Sequence, residues 1–337
     1  MRLLALYGQL YAGEIQHYDN WILGRFDLGF VWIYLLPVII GLLCVNAVAD
    51  EKISGRWALL RGQAKSTRHF LSNRLTVHFI VVTALNIGLL LLASAVLHIP
   101  FDSSWAMVLS LLIVYQLFWF CLSGIIALAD KNTTFNVLSY CSLWLFVALL
   151  LPGLHYLNRL NSEEMDLGIA VLMEQREYMN DSWDRDKNAD FAKFLEQNSQ
   201  WRETGPLPDA FHWKWYYAMQ SMSDAAVQEH VDRLQQLRLE AYRSARQWAW
   251  ASPVMSLQQS LGAIAGTDGP AHQNYLDQVK HLHENLQAFL YPHYFLETPF
   301  PQEKLDDMPK FANGEKPNVS GLGVMQILAL TALSFAL

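Results

Sequence analysis

Four polar side chains interrupt the long apolar runs of this sequence and are its first candidates for chemistry. They are Asn46, His78, Asn86 and Gln116. Polar groups are costly inside a bilayer, so we expect these side chains to face other helices or a water-filled path. Hydrogen bonds between helices are one interpretation, and an intramembrane polar path for a substrate is the other.

Signatures of catalysis and of metal binding are weak. The sequence contains no G-x-x-x-x-G-K-[ST] phosphate loop, no H-E-x-x-H zinc motif and no G-x-S-x-G nucleophile. His281 and His283, with His272 and His293, could suggest a metal site, but positions i and i+2 of a helix point to different faces. We therefore predict no catalytic residue, no metal site and no cofactor, and we expect any ATPase to be a separate chain.

A basic amphipathic segment, residues 50–74, follows the first apolar run. A short helix in this segment, lying parallel to the membrane, would place Glu51 and Gly55 beside Leu59 and Leu60 on adjoining faces. Such a helix can bind lipid headgroups or dock a cytoplasmic partner. Anchoring of the membrane topology by positive charge is the alternative.

Apolar runs long enough to cross a bilayer must position these residues. A spanning helix needs about 20 predominantly apolar residues, and four runs satisfy this length: 28–49, 75–99, 105–129 and 135–157. A fifth run, 319–337, ends the sequence. The runs are apolar on all sides, whereas a core helix of a soluble protein keeps a polar face. We predict an all-α integral membrane protein, in which a transmembrane helical bundle of residues 28–157 carries a helical extracytoplasmic domain, residues 158–318.

Lysine and arginine predict the orientation, because cytoplasmic loops carry an excess of them. Segment 50–74 holds six, the loop 98–104 holds none, and the loop 130–134 holds only Lys131. These counts predict that 50–74 is cytoplasmic and that 1–27 and 158–318 lie outside. An exported N-terminal segment without a signal, and a last run without a basic anchor, lead us to expect a fragment. In that interpretation 1–27 is the end of a truncated loop and 319–337 is a truncated span.

The polar segment 158–318 carries 15 Lys and Arg against 24 Asp and Glu, which argues against nucleic acid as a partner. Capping and helix-breaking residues predict several helices within it. The candidates are Glu163–Met179, Asp190–Gln197, Ser223–Trp250, a helix opened by Ser252-Pro253 and closed at Gly266, and Tyr275–Tyr291. Aromatic side chains cluster at Trp213, Trp215, Tyr216 and Tyr217, and both core packing and the membrane–water interface explain such a cluster.

Two sets of short motifs carry a resemblance to a known family. The first resembles the ABC-2 type transporter permeases and consists of Phe26-Asp27-Leu28-Gly29-Phe30-Val31-Trp32-Ile33-Tyr34-Leu35-Leu36-Pro37, running into Asp50-Glu51-Lys52-Ile53-Ser54-Gly55-Arg56. The other set is similar to the subgroup of these permeases with a large exported domain of unknown function, and consists of Ser252-Pro253, Leu261 through Ala265-Gly266-Thr267-Asp268, and Met308-Pro309-Lys310-Phe311. The stretch Gln63-Ala64-Lys65-Ser66 departs from the family pattern, because many members have a proline nearby.

The resemblance implies a membrane-spanning permease subunit of an ATP-binding cassette transporter of the ABC-2 type, in the bacterial cytoplasmic (inner) membrane. By match of position, the residues that would touch a cytoplasmic ATP-binding subunit are Glu51, Gly55, Arg56, Leu59 and Leu60. A second permease subunit, identical or different, would complete a dimer in the lipid bilayer. The alternative is a non-transport membrane protein whose exported domain binds an envelope partner.

Overall fold

The computed structural model describes residues 6, 7, 10, 27–63, 66–158, 164–300, 302–312 and 321–336. Within these ranges the chain is helical and contains no β-strand, so the predicted all-α class is confirmed for the described residues. The chain forms two compact units. The apolar unit comprises Arg25–Asn161, Tyr242–Asp268 and Pro317–Leu337, and the polar unit comprises Met1–Gly24, Ser162–Ala241 and Gly269–Lys316.

Four helices of the apolar unit are long and apolar enough to cross a membrane. They are α1 (Leu28–Ile53), α3 (Thr67–Leu97), α4 (Ser103–Leu128) and α5 (Thr133–Leu157), with the short α2 (Trp57–Gln63) between α1 and α3. The four predicted membrane-length helices are thereby confirmed, and their length and composition indicate a membrane protein. Two of these helices contain a π-helical turn, Val31–Leu35 in α1 and Phe146–Leu150 in α5.

Six further α-helices follow in the described part of the chain. They are α6 (Glu164–Asp181), α7 (Lys187–Gln197), α8 (Trp213–Trp248), α9 (Pro253–Ala265), α10 (Gly269–Phe295) and α11 (Leu322–Ala336). Helix α11 covers the described part of the predicted fifth span, and its 15 residues give a rise of about 22 Å, less than a bilayer core of about 30 Å. The predicted segment 1–27 lies outside the described residues except at four positions.

Side-chain caps determine where the long helices begin. Ser66 accepts a hydrogen bond from the backbone N–H of His69, and Asn132 accepts one from Phe135, so an orphan donor is satisfied at the start of α3 and of α5. Helix α3 therefore starts eight residues before the predicted span at 75. The apolar pattern marks only the part of the helix that matches a bilayer, whereas the cap lies further upstream in a polar stretch.

Helix α4 lies at the centre of the apolar unit and packs against α1, α3, α5, α9 and α11. Tyr115 and Trp119 of α4 are fully buried in this core. On α1, Gly41 allows the ring of Tyr140 to approach closely, because a Cβ at Gly41 would lie 2.2 Å from that ring. Tyr140 and Tyr115 donate their hydroxyl protons to backbone carbonyl oxygens of α1, both at 2.6 Å. The packing of α4 and α5 against α1 is thus fixed by two tyrosine side chains and by the close approach that Gly41 permits.

Residues 242–268 belong to the apolar unit, although they lie within the predicted extracytoplasmic domain, residues 158–318. This stretch contains α9, whose apolar side chains are buried beside the long helices. Helix α8 starts ten residues before the predicted Ser223, because its aromatic first turns are held by burial of Trp215 and Tyr217 rather than by a cap signal. Two apolar clusters, one around Val231 and one around Phe194, form the core of the polar unit.

Candidate functional site

Gly55 turns the chain between α1 and α2. Its φ of 75° lies in the left-handed region, which glycine enters without the steric cost of a side chain. The hydroxyl of Ser54 donates to the carbonyl oxygen of Glu51 at 3.1 Å and helps to close the turn. Gly55 is therefore needed for the backbone path that places α2 beside the end of α1.

Glu51 carries the most constrained charge in this region. It is only 8% exposed, and its carboxylate pairs with Arg56 Nε at 2.9 Å and with Arg74 Nη1 at 2.8 Å. Arg74 also donates to the carbonyl oxygen of Ala47 at 3.1 Å. The two arginines tie the end of α1 to the turn and to the first part of α3. The carboxylate is satisfied within the chain, although the resemblance assigned Glu51 to a partner contact.

An open groove of about 720 Å³ lies between the end of α1, α2 and the start of α3. It is lined by Glu51, Arg56, Leu59, Leu60, Gln63, His69, Phe70, Asn73, Arg74 and Val77. Four of the five residues that the resemblance selected meet here, and only Gly55 does not line the groove. Leu59 is 74% exposed at its edge. An apolar side chain next to arginines suits a protein surface that offers an apolar pocket and carboxylates.

Two contacts hold α2 beside the groove. The ring of Trp57 meets the ring of Phe70 edge to face, with centroids 5.7 Å apart. Lys52 forms an ion pair with Asp130, in the turn between α4 and α5, and its ammonium group lies 5.8 Å from the Trp57 ring. The groove is therefore formed by side chains whose own positions are fixed by ring packing and ion pairs.

The four polar side chains within the apolar runs do not form one continuous set. Asn86 donates to Gln116 Oε1 at 3.2 Å, and Gln116 donates to the hydroxyl of Thr83, which links α3 to α4. His78 lies 2.8 Å from the carbonyl oxygen of Arg74 on the same helix. Asn46 lies elsewhere, at the end of α1. The structure brings Asn86 and Gln116 together and leaves His78 and Asn46 apart.

Asn46 lines a small pocket of about 80 Å³ between α1 and α5. The other lining residues are Val38, Gly41, Leu42, Val45, Val137, Tyr140, Cys141 and Trp144. Among the described residues, neither Asn46 Oδ1 nor Trp144 Nε1 has a hydrogen-bond partner. Sequence reasoning missed Trp144, because an aromatic residue in an apolar run carries no signal that its N–H lacks an acceptor.

Asp224 of the polar unit holds two residues of the N-terminal segment. Its carboxylate accepts hydrogen bonds from the backbone N–H groups of Leu6 and Tyr7 and from Gln175 Nε2. Burial raises the pKa of Asp224 to about 6, against the opposing effect of these hydrogen bonds. Tyr7 donates to Gln228 Oε1 at 2.5 Å, and burial followed by the nearby Asp224 raises its pKa to about 12. No motif in the sequence pointed to this contact.

The histidines of α10 point in different directions. His281 Nδ1 lies 3.2 Å from Glu284 Oε2 on the exposed surface, whereas His283 is buried. In the described ranges, no group of three or more His, Cys, Asp or Glu side chains could hold a metal ion.

Aromatic side chains form an exposed patch on the polar unit. Trp183, Phe211 and Trp213 are each about half exposed and are in ring contact, with Phe211 centred 6.4 Å from Trp183 and 5.3 Å from Trp213. Trp215 and Tyr217 lie beneath them in the core. Core packing therefore explains two of the four clustered aromatics, and Trp213 belongs to the surface.

Residues 169–313 match the protein family described as "Domain of unknown function (DUF3526)". The match covers less than half of the chain and includes α7, α8, α9 and α10. No curated protein and no solved structure matches the chain.

Proposed function

We propose that the chain is a membrane-spanning permease subunit of an ABC-2 type transporter, driven by ATP hydrolysis in a separate cytoplasmic subunit. The groove between α1, α2 and α3 carries this proposal. Four residues selected by a family resemblance, among them Arg56 and the exposed Leu59, line one open groove together with Arg74. The permease lies in the bacterial cytoplasmic membrane, and the ATP-binding subunit docks on its groove. A second permease subunit, identical or different, completes the dimer.

The division of roles within the groove supports a mechanical coupling. Glu51 and Arg74 join the ends of α1 and α3, so a force on α2 reaches both helices. Leu59 and the outer part of Arg56 remain free to contact a partner, since Leu59 is 74% exposed and the Arg56 side chain is 65% exposed. Burial of one leucine in a partner stabilises a complex by about 1.5–3 kcal/mol, or roughly ten- to a hundredfold in affinity.

The proposed topology has the polar unit outside and the groove inside. The N-terminal segment and α8 are hydrogen-bonded through Asp224, so they lie on one side of the membrane. Four crossings between residues 27 and 158 also return the chain to its starting side. The six Lys and Arg of segment 50–74 favour the cytoplasm for the opposite side.

The intramembrane residues divide between two roles in this proposal. Asn86 and Gln116 are buried and bonded to each other, so they join α3 to α4. Asn46 lines the pocket beside Trp144, and its side-chain oxygen has no hydrogen-bond partner in the part of the chain that the structure describes, so Asn46 is the candidate for contact with a substrate.

A pair of matched variants tests the docking role. Leu59→Asp places a charge on the exposed leucine of the groove and should remove the ATPase from the purified complex. Ile53→Asp is the control, because Ile53 is 76% exposed but does not line the groove. Copurification from native membranes, with mass spectrometry of the retained proteins, provides the measurement. Retention of the ATPase by Leu59→Asp, or equal loss in both variants, contradicts the assignment.

A second candidate is a non-transport membrane protein whose polar unit binds an envelope partner. The exposed patch of Trp183, Phe211 and Trp213 favours it, since contiguous exposed aromatics mark interaction sites. If Trp213→Ser releases a copurifying envelope protein while no ATPase is ever recovered, this candidate replaces the first.

A further inference from the structure

Two tryptophan rings of the polar unit meet at a corner, which is called the tryptophan corner below. Trp183 lies in the turn between α6 and α7, and Trp215 lies near the start of α8. Their ring centroids are 4.9 Å apart and their planes are at 75° to each other. Trp215 is buried, whereas Trp183 is about half exposed, so the corner opens at the surface of the polar unit.

A cation of the chain itself occupies the tryptophan corner. Lys187 Nζ lies over the Trp215 ring, 4.8 Å from its centroid, and over the Trp183 ring, 5.8 Å from its centroid. Both distances are within the range of about 6 Å over which an aromatic face attracts an ammonium group. Lys187 is exposed and is the first residue of α7, where the helix dipole disfavours positive charge. The two rings therefore account for the position of this ammonium group, and the helix does not.

The chain on both sides of Trp183 is acidic. Residues 181–190 contain four aspartates against two basic residues. One of the basic residues, Arg185, is paired with Asp190 at 3.1 Å, so its charge is compensated within the chain. Asp184, the residue after Trp183, is exposed. A surface of this sign raises the local concentration of cations and repels anions.

Two further aromatic rings extend the tryptophan corner. The ring of Phe211 is nearly parallel to that of Trp183, at an interplanar angle of 10° and a centroid distance of 6.4 Å. The ring of Tyr216 lies 6.2 Å from Trp183 and 6.5 Å from Trp215. Groups of aromatic rings recognise quaternary ammonium ligands, which are bulkier than the ammonium group of a lysine. The four rings therefore suit an organic cation larger than the one that lies there.

Trp215 also contributes a hydrogen-bond donor that is not satisfied. Its Nε1 is buried and has no hydrogen-bond partner among the described residues. Buried donors in folded proteins are normally paired. A ligand that carries an acceptor beside its positive charge would satisfy this N–H group. Choline has such an acceptor, a hydroxyl oxygen close to its quaternary nitrogen.

We propose that the tryptophan corner is a binding site for organic ammonium ions of the choline type, and that Lys187 occupies it until the ligand displaces the lysine ammonium group. The flexible stem of a lysine allows its head to leave the rings while α7 stays in place. The ligand is either a free solute or a lipid headgroup, and the chemistry shared by the two is the trimethylammonium group. This site does not depend on whether the chain acts with an ATPase.

Saturation-transfer difference NMR on the methyl protons of choline tests the site, with the full-length protein in maltoside micelles. Wild type should bind choline, and Lys187→Ala should bind it roughly tenfold more tightly, because the competing cation is removed. Lys193→Ala is the matched control and should behave as wild type, since Lys193 is another exposed lysine of α7. In the Lys187→Ala chain, Trp183→Leu should abolish binding, whereas Trp183→Phe retains an aromatic face and should weaken binding only severalfold.

A neutral ligand separates attraction of charge from apolar contact. The carbon isostere of choline, in which a tert-butyl group replaces the trimethylammonium group, should bind at least severalfold more weakly to Lys187→Ala. Equal binding of the two ligands overturns the proposal, as does undiminished binding of choline by Trp183→Leu. Absence of choline binding to wild type or to Lys187→Ala overturns it as well. Trp183 and Lys187 are exposed, so these variants are expected to fold, and gel filtration checks this.

A change of lipid distinguishes the two sources of the ammonium group. If the ligand is a lipid headgroup, free choline should lose its signal when the protein is moved from maltoside micelles into phosphatidylcholine nanodiscs. If the ligand is a free solute, binding should be the same in both. Either result supports the site, and neither requires an ATPase to copurify. Failure of the choline test and failure of the docking test are therefore distinguishable.

Discussion

Glu51 and Arg74 form an ion pair that joins the first two membrane-length helices, with Oε1 and Nη1 2.8 Å apart. The pair is largely shielded from water: the Arg74 side chain is 30% exposed and that of Glu51 is 11% exposed. From the sequence, Glu51 is expected to contact a partner protein, so that reversing its charge would leave the fold intact. The buried pair leads to the opposite expectation.

Glu51→Gln should destabilise the protein, because it removes the charge that satisfies Arg74 and Arg56. Hydrogen bonds to charged groups contribute about 1.5–3 kcal/mol each, so a loss of about 2 kcal/mol in the free energy of unfolding is expected. Thermal melting in detergent measures it. Asp130→Asn is the matched control, since its pair with Lys52 is exposed and such pairs contribute about 0–1 kcal/mol. Equal melting of Glu51→Gln and wild type contradicts the structural role of this carboxylate.

The stability of the polar unit should decrease as pH rises through about 6, because Asp224 must then ionise in a buried site. Its pKa is raised from 3.8 to about 6, so the folded state binds the proton more tightly than the unfolded state between these values. Stability is therefore greatest below the ordinary pKa and reaches a constant, lower value above about 6, with a total difference of at most about 2–3 kcal/mol. Melting curves recorded at several pH values measure this slope.

Asp224→Asn provides the comparison for the pH series. The amide cannot ionise, so its melting temperature should vary less between acidic and neutral pH than that of wild type. The backbone N–H groups of Leu6 and Tyr7 can still donate to the side-chain carbonyl oxygen of the new amide, which takes the place of Oδ1 of the carboxylate. A pH slope that is unchanged by the substitution assigns the effect to another group.

The membrane-length helices could be predicted from the sequence because their signal is local. A run of about 20 apolar residues has few alternatives to a helix in lipid. The groove was predicted in part, since Leu59 and Arg56 were selected by resemblance to a family. The same residues gave no indication that Glu51 would be buried, because its partner Arg74 lies 23 positions away and only the fold brings them together.

The membership of α9 in the apolar unit could not be predicted for a different reason. Its caps, Ser252 and Gly266, were recognised, and its helix is where the sequence places it. Its 13 residues are too few to give a spanning signal, and the polar chain on both sides dominates any average of hydropathy. The contacts of Ser252 with Val147 and of Ser260 with Gly323 join residues that are far apart in the sequence.

Gly41→Ala should destabilise the apolar unit, because the new Cβ would lie 2.2 Å from the Tyr140 ring. That ring cannot easily move away, since the Tyr140 hydroxyl donates a hydrogen bond to the carbonyl oxygen of Pro37. Overpacking of this kind costs typically about 1–3 kcal/mol. Gly88→Ala in α3 is the control, since no atom lies within 4 Å of the added Cβ. There the substitution should be neutral or stabilising by up to about 1 kcal/mol. Thermal melting of both variants in the same detergent measures the difference. Equal changes in melting temperature for Gly41→Ala and Gly88→Ala would contradict the close contact.

The orientation of the chain determines whether the groove can meet a cytoplasmic partner at all. Ser66 caps α3 beside the groove and is exposed, and Ser199 lies at the surface of the polar unit, so a cysteine at either position should be reachable by a water-soluble reagent. Labelling of intact cells with a membrane-impermeant maleimide should modify Ser199→Cys and leave Ser66→Cys unmodified, because the six Lys and Arg of segment 50–74 retain it inside. After permeabilisation both cysteines should react, which shows that Ser66→Cys is shielded by the membrane and not by the fold.

Labelling of Ser66→Cys but not of Ser199→Cys in intact cells would reverse the topology. The groove would then face away from any ATP-binding subunit, and the binding of an envelope partner would become the better account of the protein.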